Sequence, residues 1–422
     1  MELLFGSFFL FIFLGVPISF GMFASSALYL IVNDVSLVSL VQRVSSGVSS
    51  FPLLAAPLFI MAGSIMNAAG ITERIFAFCS AMVGHYKGGL GYVNVLSSMI
   101  MSGKSGTAVA DAAGLGQVVH KAMKDAGYDE RFSLAVTGAS ATLAPILPPS
   151  VPGVMIGVIG GVSIGRIFVG GIIPGIIMSA LMMILVGVIS KMRNYPSEPR
   201  VSWSGRWKAF KSAFFSLLVP VVLIGGIVFG INTPTEGGAL AVTLAVILGF
   251  AYRELNLRKL YDVIVQSCGI TLSVMFIIGS GAIFGWILAI EQIPQMTAAW
   301  FMSYVESPLM AMLLINILLL TVGMFMDTMA AISILTPILM PIVLSFGIDP
   351  VQFTIIMVLN LMIGLLTPPV GVILFIMSSF SGVPVGKLAI AVLPFLFALL
   401  FALAIFTLVP ATVTWLPNLV FG

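Results

Sequence analysis

Four ionisable side chains stand in otherwise apolar stretches of this sequence: Lys104, Asp111, Glu236 and Asp327. A charge at membrane depth costs about 2.5–3.5 kcal/mol on insertion scales, so each asks for a functional explanation. Hydroxyls and proline breaks cluster beside two of them. Ser102 and Ser105 flank Lys104 in SGKSGT, and Ser140 and Thr142 precede APILPPSVPG at 144–153. Asp327 and Thr328 sit together in MFMDTM, and Thr367 lies in GLLTPPVG at 364–371. A proline cannot donate and frees a carbonyl one turn back. The freed carbonyls are expected around Ala144 and Pro145 in one break, and around Gly364 and Leu365 in the other. Neutral oxygens with one carboxylate suit a hard cation such as Na+, and they offer nothing soft to a transition metal. Asp327 is the best placed cation ligand. Glu236, behind Pro234 in NTPTEGGA, reads instead as a helix cap. Lys104 either pairs with Asp111 or meets an anionic substrate.

The elements that must position these groups follow from composition. The chain is 60% hydrophobic and only 8% charged, against about 25% charged in globular proteins. Apolar stretches of about 20 residues, the length that spans hydrocarbon, recur throughout. An all-α polytopic membrane protein is expected. Runs such as LMMILVGVIS do not alternate, which argues against a membrane β-barrel. The N-terminal MELLFGSFFLFIFLGVPISF has no basic start and too long an apolar run for a signal peptide, so it predicts a retained first helix. Cys79 and Cys268 are single and far apart, and His85 and His120 are not at ligand spacing, so neither a disulfide framework nor a zinc site is expected. No P-loop, kinase set or Gly-x-Ser-x-Gly elbow is present, so neither direct ATP use nor an enzyme is expected. Six basic residues (Lys191, Arg193, Arg200, Arg206, Lys208 and Lys211) crowd one polar stretch, flanked by spans and holding Trp203 and Trp207. That pattern predicts a cytoplasmic loop at a membrane surface rather than a nucleic-acid patch.

Across this loop the chain is written twice. Pro17 aligns with Pro234, Gly63 with Gly279, MSGKSGTAVADA with TVGMFMDTMAAI, and LPPSVPGVMI with LTPPVGVILF, at offsets of 216 to 220. Paired, interrupted hydrophobic segments at corresponding places are the mark of a transporter site built from inverted repeats. We expect a first repeat at 1–190, with a helical hairpin about 90–119 and a broken helix about 133–163. A basic cytoplasmic linker at 191–212 should lead to a second repeat at 213–422, with a hairpin about 308–345 and a broken helix about 351–380. The first break, at SGKSGT, leaves flanks of about 10–12 residues, too short to cross alone. Re-entrant hairpins are therefore favoured over kinked spans.

The stretches AVADAAGLG (108–116), ASATLAPILPPSVP (139–152), TPTEGGALAV (233–242), GMFMDTMAAISILTPILMP (323–341) and NLMIGLLTPPVGVILF (360–375) resemble the large membrane subunit of TRAP (tripartite ATP-independent periplasmic) transporters over essentially the whole chain. The resemblance implies a scaffold domain and a transport domain moving as an elevator. It also implies Na+-driven uptake of an organic anion, delivered by a soluble periplasmic binding protein to a complex in the bacterial inner membrane. A small four-helix membrane subunit is implied as a separate polypeptide. By position, one Na+ site should involve Ser102, Gly103, Ser105, Thr142 and carbonyls from Gly138 to Pro145. The other should involve Gly323, Asp327, Thr328 and carbonyls from Gly364 to Thr367. Substrate is expected near Lys104, Pro149, Ser150 and Pro369. Lys104 departs from the small residue expected within that tip. A stand-alone Na+/anion transporter of the same superfamily is the alternative.

Overall fold

A computed structural model of the chain describes residues 2–422, and at 103–105 and 115 the backbone alone. Among the described residues every regular element is helical. Among the described residues eight helices are long and apolar enough to cross a membrane.

Local chemistry starts the helices where the site needs them. Asp129 caps Glu130–Ala141 by accepting from the Phe132 amide at 2.8 Å. Asp349 accepts from the Val351 and Gln352 amides and sets Pro350 at the first position of Pro350–Leu365. A capping carboxylate or hydroxyl satisfies amides that no turn precedes, and proline at the first position loses nothing. Glu236 behaves as its sequence predicts. It forms a capping box with Thr233, accepting from the Thr233 amide at 2.7 Å, and starts Pro234–Ala251.

The same succession of elements occurs twice. Gly89–Ser105, a break, Ala108–Ala113 and Leu115–Asp125 form the first helix–break–helix unit, and Glu130–Ala141 and Val151–Gly160 the first broken helix. Pro308–Phe325 and Thr328–Ser345 form the second unit, and Pro350–Leu365 and Val372–Ser381 the second broken helix. In each half the leading arm runs alongside its own broken helix. Buried amides fix the register. Asn94 Nδ2 donates to Thr137 Oγ1 at 2.8 Å, and Ser140 donates to Asn94 Oδ1 at 3.1 Å. Asn360 Nδ2 donates to Asn316 Oδ1 at 2.8 Å, and Asn316 Nδ2 to Thr407 Oγ1 at 3.0 Å. The return arms cross over. Ala108–Ala113 packs on Val372–Ser381, and Thr328–Ser345 on Val151–Gly160.

The two units stand at opposite ends of one span. Ile172–Met192 has 21 residues, about 31 Å at 1.5 Å per residue, close to the thickness of a hydrocarbon core. Both ends of the first unit meet just past its Met192 end. The Gly88 amide donates to Pro196 O at 3.1 Å, and the Tyr128 hydroxyl donates to the same carbonyl at 2.9 Å. The second unit returns at the Ile172 end, where Val351 lies against Gly170 and Asp349 lines a cavity with Gly161 and Arg166.

Three expectations change. The apolar N-terminus is not one helix. Glu2–Phe13 and Ile18–Val32 pack on each other around Gly15, whose φ of +81° suits glycine, and Pro17. The leading flank of the first break is also longer than expected. Gly89–Ser105 has 17 residues, about 26 Å, because the helix continues past the polar residues that suggested its end. The basic loop is irregular only from 193 to 202, and Trp203–Val228 takes Arg206, Lys208 and Lys211 into a helix.

If the buried amides fix the register, Asn94→Ala should destabilise the protein by about 1 kcal/mol, the scale of interhelical hydrogen bonds in membranes. A thermal unfolding midpoint equal to wild type in the same detergent would remove that role.

Candidate functional site

Each tip touches the proline break of its own half through backbone. In the first half the Val151 amide donates to Gly106 O at 3.4 Å. Gly106 holds φ +59°, and a Cβ there would lie 2.7 Å from Pro149 O. In the second half the Val370 amide donates to Met324 O at 3.3 Å. Gly323 and Gly364 meet directly, and a Cβ on Gly364 would lie 2.3 Å from the Gly323 carbonyl carbon. The pairing of tip with break expected from the sequence is therefore present in both halves. The Pro148–Pro149 and Pro368–Pro369 bonds are both cis.

The individual side chains are placed as follows. Ser102 is buried and donates to Met99 O at 2.6 Å, and Thr142 is buried and donates to Ala139 O at 2.6 Å. The side chains of Gly103, Lys104 and Ser105 lie outside the described residues. Gly138 is buried against Met377 and Leu366 of the other half. The Pro145 carbonyl accepts from the Ser150 hydroxyl, which leaves its second lone pair for another donor or a cation. Ser150 also accepts from the Gly153 amide at 2.9 Å and so caps Val151–Gly160. Its hydroxyl is thus committed to structure. Pro149 is buried beside it.

The second break is open where the first is closed. Asp327, Pro368, Pro369 and Val370 are exposed. Asp327 caps Thr328–Ser345 by accepting from the Met329 amide at 2.9 Å. Thr367 is half-buried and donates to Ile363 O at 2.7 Å. Two buried oxygens flanking this break have no hydrogen-bond partner, Thr328 Oγ1 and Asn360 Oδ1, on residues 4% and 0% exposed. A buried polar atom without a partner costs about 1–3 kcal/mol, and hydroxyl and amide oxygens are both ligands that hard cations accept.

A cavity of about 420 Å³ adjoins Ser102 and Pro148, but its other walls, including Met99, Ile176 and Leu217, are apolar. Among the described residues its lining has one polar side chain, the Ser102 hydroxyl. The asparagines Asn94, Asn316 and Asn360 are the buried polar residues that motif reading passes over. The signal was available, because LLINILLL and VLNLMIG each set an amide inside an apolar run.

Residues 5–412 match the family model described as Tripartite ATP-independent periplasmic transporter, DctM component. The chain belongs to that family. It is 41% identical over 413 residues to the sialic acid TRAP transporter large permease protein of Vibrio cholerae, covering 97% of each chain. It is 39% identical to the sialic acid TRAP transporter permease protein of Haemophilus influenzae, where the match takes in 96% of this chain and 66% of that one. The fold is similar to that of the Alcanivorax borkumensis YdaH transporter, with a TM-score of 0.63, 14% identity and 90% of each chain covered. This TRAP large permease is thus a multi-pass membrane transporter component, and its family consists of transporters rather than enzymes.

The glycine contact makes a direct prediction for the TRAP permease. Gly364→Ala must push the tip from the break, at a cost of about 1–3 kcal/mol for overpacking. We expect a lowered unfolding midpoint and lost uptake, and Gly386→Ala, where a Cβ meets nothing within 4 Å, should leave both unchanged.

Proposed function

We propose that this chain is the large subunit of a Na+-coupled importer of small organic anions, moving its cargo by an elevator motion across the bacterial inner membrane. The observation that carries this reading is the partnerless buried Thr328 hydroxyl beside a tip that already bonds its break. Such a site gains most from a small hard cation.

One Na+ is assigned to Ser102, Gly103 and Ser105 with Thr142 and carbonyls from Gly138 to Pro145. The other is assigned to Gly323, Asp327 and Thr328 with carbonyls from Gly364 to Thr367. Each cation would draw tip and break together and leave positive potential for an anion between the halves, near Lys104, Pro149, Ser150 and Pro369. Substrate and cation would then favour the same closed arrangement, which is how one gradient drives the other. The halves are proposed as inverted repeats with re-entrant hairpins, supported by the two units standing at opposite ends of Ile172–Met192.

The substrate class is a carboxylate or sugar acid. The sialic acid named for the Vibrio cholerae relative belongs to that class. The partners are a soluble periplasmic binding protein and a small four-helix membrane subunit. Family membership favours this reading over a stand-alone anion transporter.

Asp327 is tested best by Asp327→Asn, because asparagine caps a helix about as well as aspartate and removes only the charge. In proteoliposomes with all three components, this variant should fold normally and fail to concentrate substrate under a Na+ gradient. Uptake at the wild-type rate would sink the assignment.

Thr328→Val should separate the hydroxyl's role from packing. We expect an unfolding midpoint without Na+ equal to or above wild type, since an unsatisfied group is removed. The rise on adding Na+, which reports binding to the folded state, should shrink. An undiminished rise would place the cation elsewhere.

A further inference from the structure

A second site lies away from the breaks, where three elements meet at the end of the protein that carries the basic loop. Asp129, Arg131 and Phe132 begin the first broken helix, Ile189 to Arg193 end one span, and Lys387 to Phe395 begin another. Together they line a cavity of about 370 Å³. Its rim holds Arg131, Arg193 and Lys387 against the single acid Asp129.

The acid is committed. Asp129 caps its helix and lies 3.6 Å from the Arg193 guanidinium, which also donates to the Tyr195 hydroxyl at 3.2 Å. Glu130, next in the chain, is held by Lys124 at 2.9 Å. Among the described residues Arg131 and Lys387 have no ion-pair partner. Two cations from different elements therefore face one cavity with no protein anion left to take them.

The floor is apolar, and it continues outward. Phe132, Ala391 and Phe395 close the bottom. Beyond the mouth, Ile390 and Phe397 on Val385–Leu408 are 70% and 68% exposed, and Ile184 on the packed neighbour Ile172–Met192 is 64% exposed. A cationic rim at the head of an apolar seam fits a molecule with an anionic head and long apolar tails. Basic pockets between spanning helices on the cytoplasmic side bind such head groups, and the positive-inside rule puts this end there.

We propose that this cavity is a binding site for an anionic phospholipid, its phosphate between Arg131 and Lys387 and its acyl chains along the seam beside Ile390 and Phe397. Bound there, the lipid ties the start of the first broken helix to two neighbouring spans.

The test uses the full chain, with any subunit that co-purifies, in neutral detergent. Phosphatidylglycerol, phosphatidylcholine or inorganic phosphate is titrated in, and bound lipid is read by native mass spectrometry. Wild type should retain phosphatidylglycerol selectively. The double variant Arg131→Gln, Lys387→Gln should bind it about 30-fold more weakly, given the usual contribution of a basic residue near an anionic surface. Ile390→Asp, which puts a charge in the seam, should weaken binding with the rim intact, and Arg131→Lys, Lys387→Arg should restore it. Equal retention by wild type and the double variant, or equal retention of phosphatidylcholine, would overturn the proposal. So would inorganic phosphate displacing the lipid at equal concentration, which would mark a site for a free anion. A complex that takes up no phosphatidylglycerol because its co-purified subunit covers the seam would overturn it as well.

Discussion

Backbone polarity in an apolar medium is the constraint that the rest of this structure answers. Where a helix is interrupted away from water, its amides and carbonyls must find partners within the protein. Here each interruption finds the other one in its half. Gly106 accepts from Val151 and Met324 from Val370, so one irregular segment repairs part of the other. The glycines follow from the closeness this demands. Gly323 and Gly364 touch through backbone alone, and a side chain on either would keep the breaks apart. The buried asparagines extend the same logic further along each leading arm, holding it in register against the helix it must meet.

Much of this could be read from residues. The repeated proline breaks, the hydroxyls beside them and the capping role of Glu236 all follow from local chemistry. What failed, failed for physical reasons. The leading arm of the first break reads as short because Ser and Gly look like helix ends, but serine inside a membrane helix bonds back to its own turn, as Ser97 and Ser102 do. The N-terminal apolar run looked continuous, yet Gly15 and Pro17 fold it on itself. Ser150 also has a structural occupation that spacing does not reveal, since its hydroxyl caps Val151–Gly160 and donates to the Pro145 carbonyl. Asp327 stood out by its charge, while its second occupation as an N-cap depends on where the helix begins. Sequence spacing does not fix that point to within a residue or two.

The two halves share a plan and differ in exposure. The first break is buried throughout, from Leu143 to Pro152, whereas the second opens at Pro368, Pro369 and Val370. The same chemistry therefore sits in two environments. At the closed break Thr142 and Ser150 are both hydrogen-bonded, and around the open one Thr328 Oγ1 and Asn360 Oδ1 are left without partners.

The crossed return arms carry a consequence for how the chain must assemble. Thr328–Ser345 packs on Val151–Gly160 of the first half, and Ala108–Ala113 packs on Val372–Ser381 of the second. Both contacts join segments far apart in the sequence. Neither can form until most of the second half has been synthesised, and pairings of that kind are the slow ones to form.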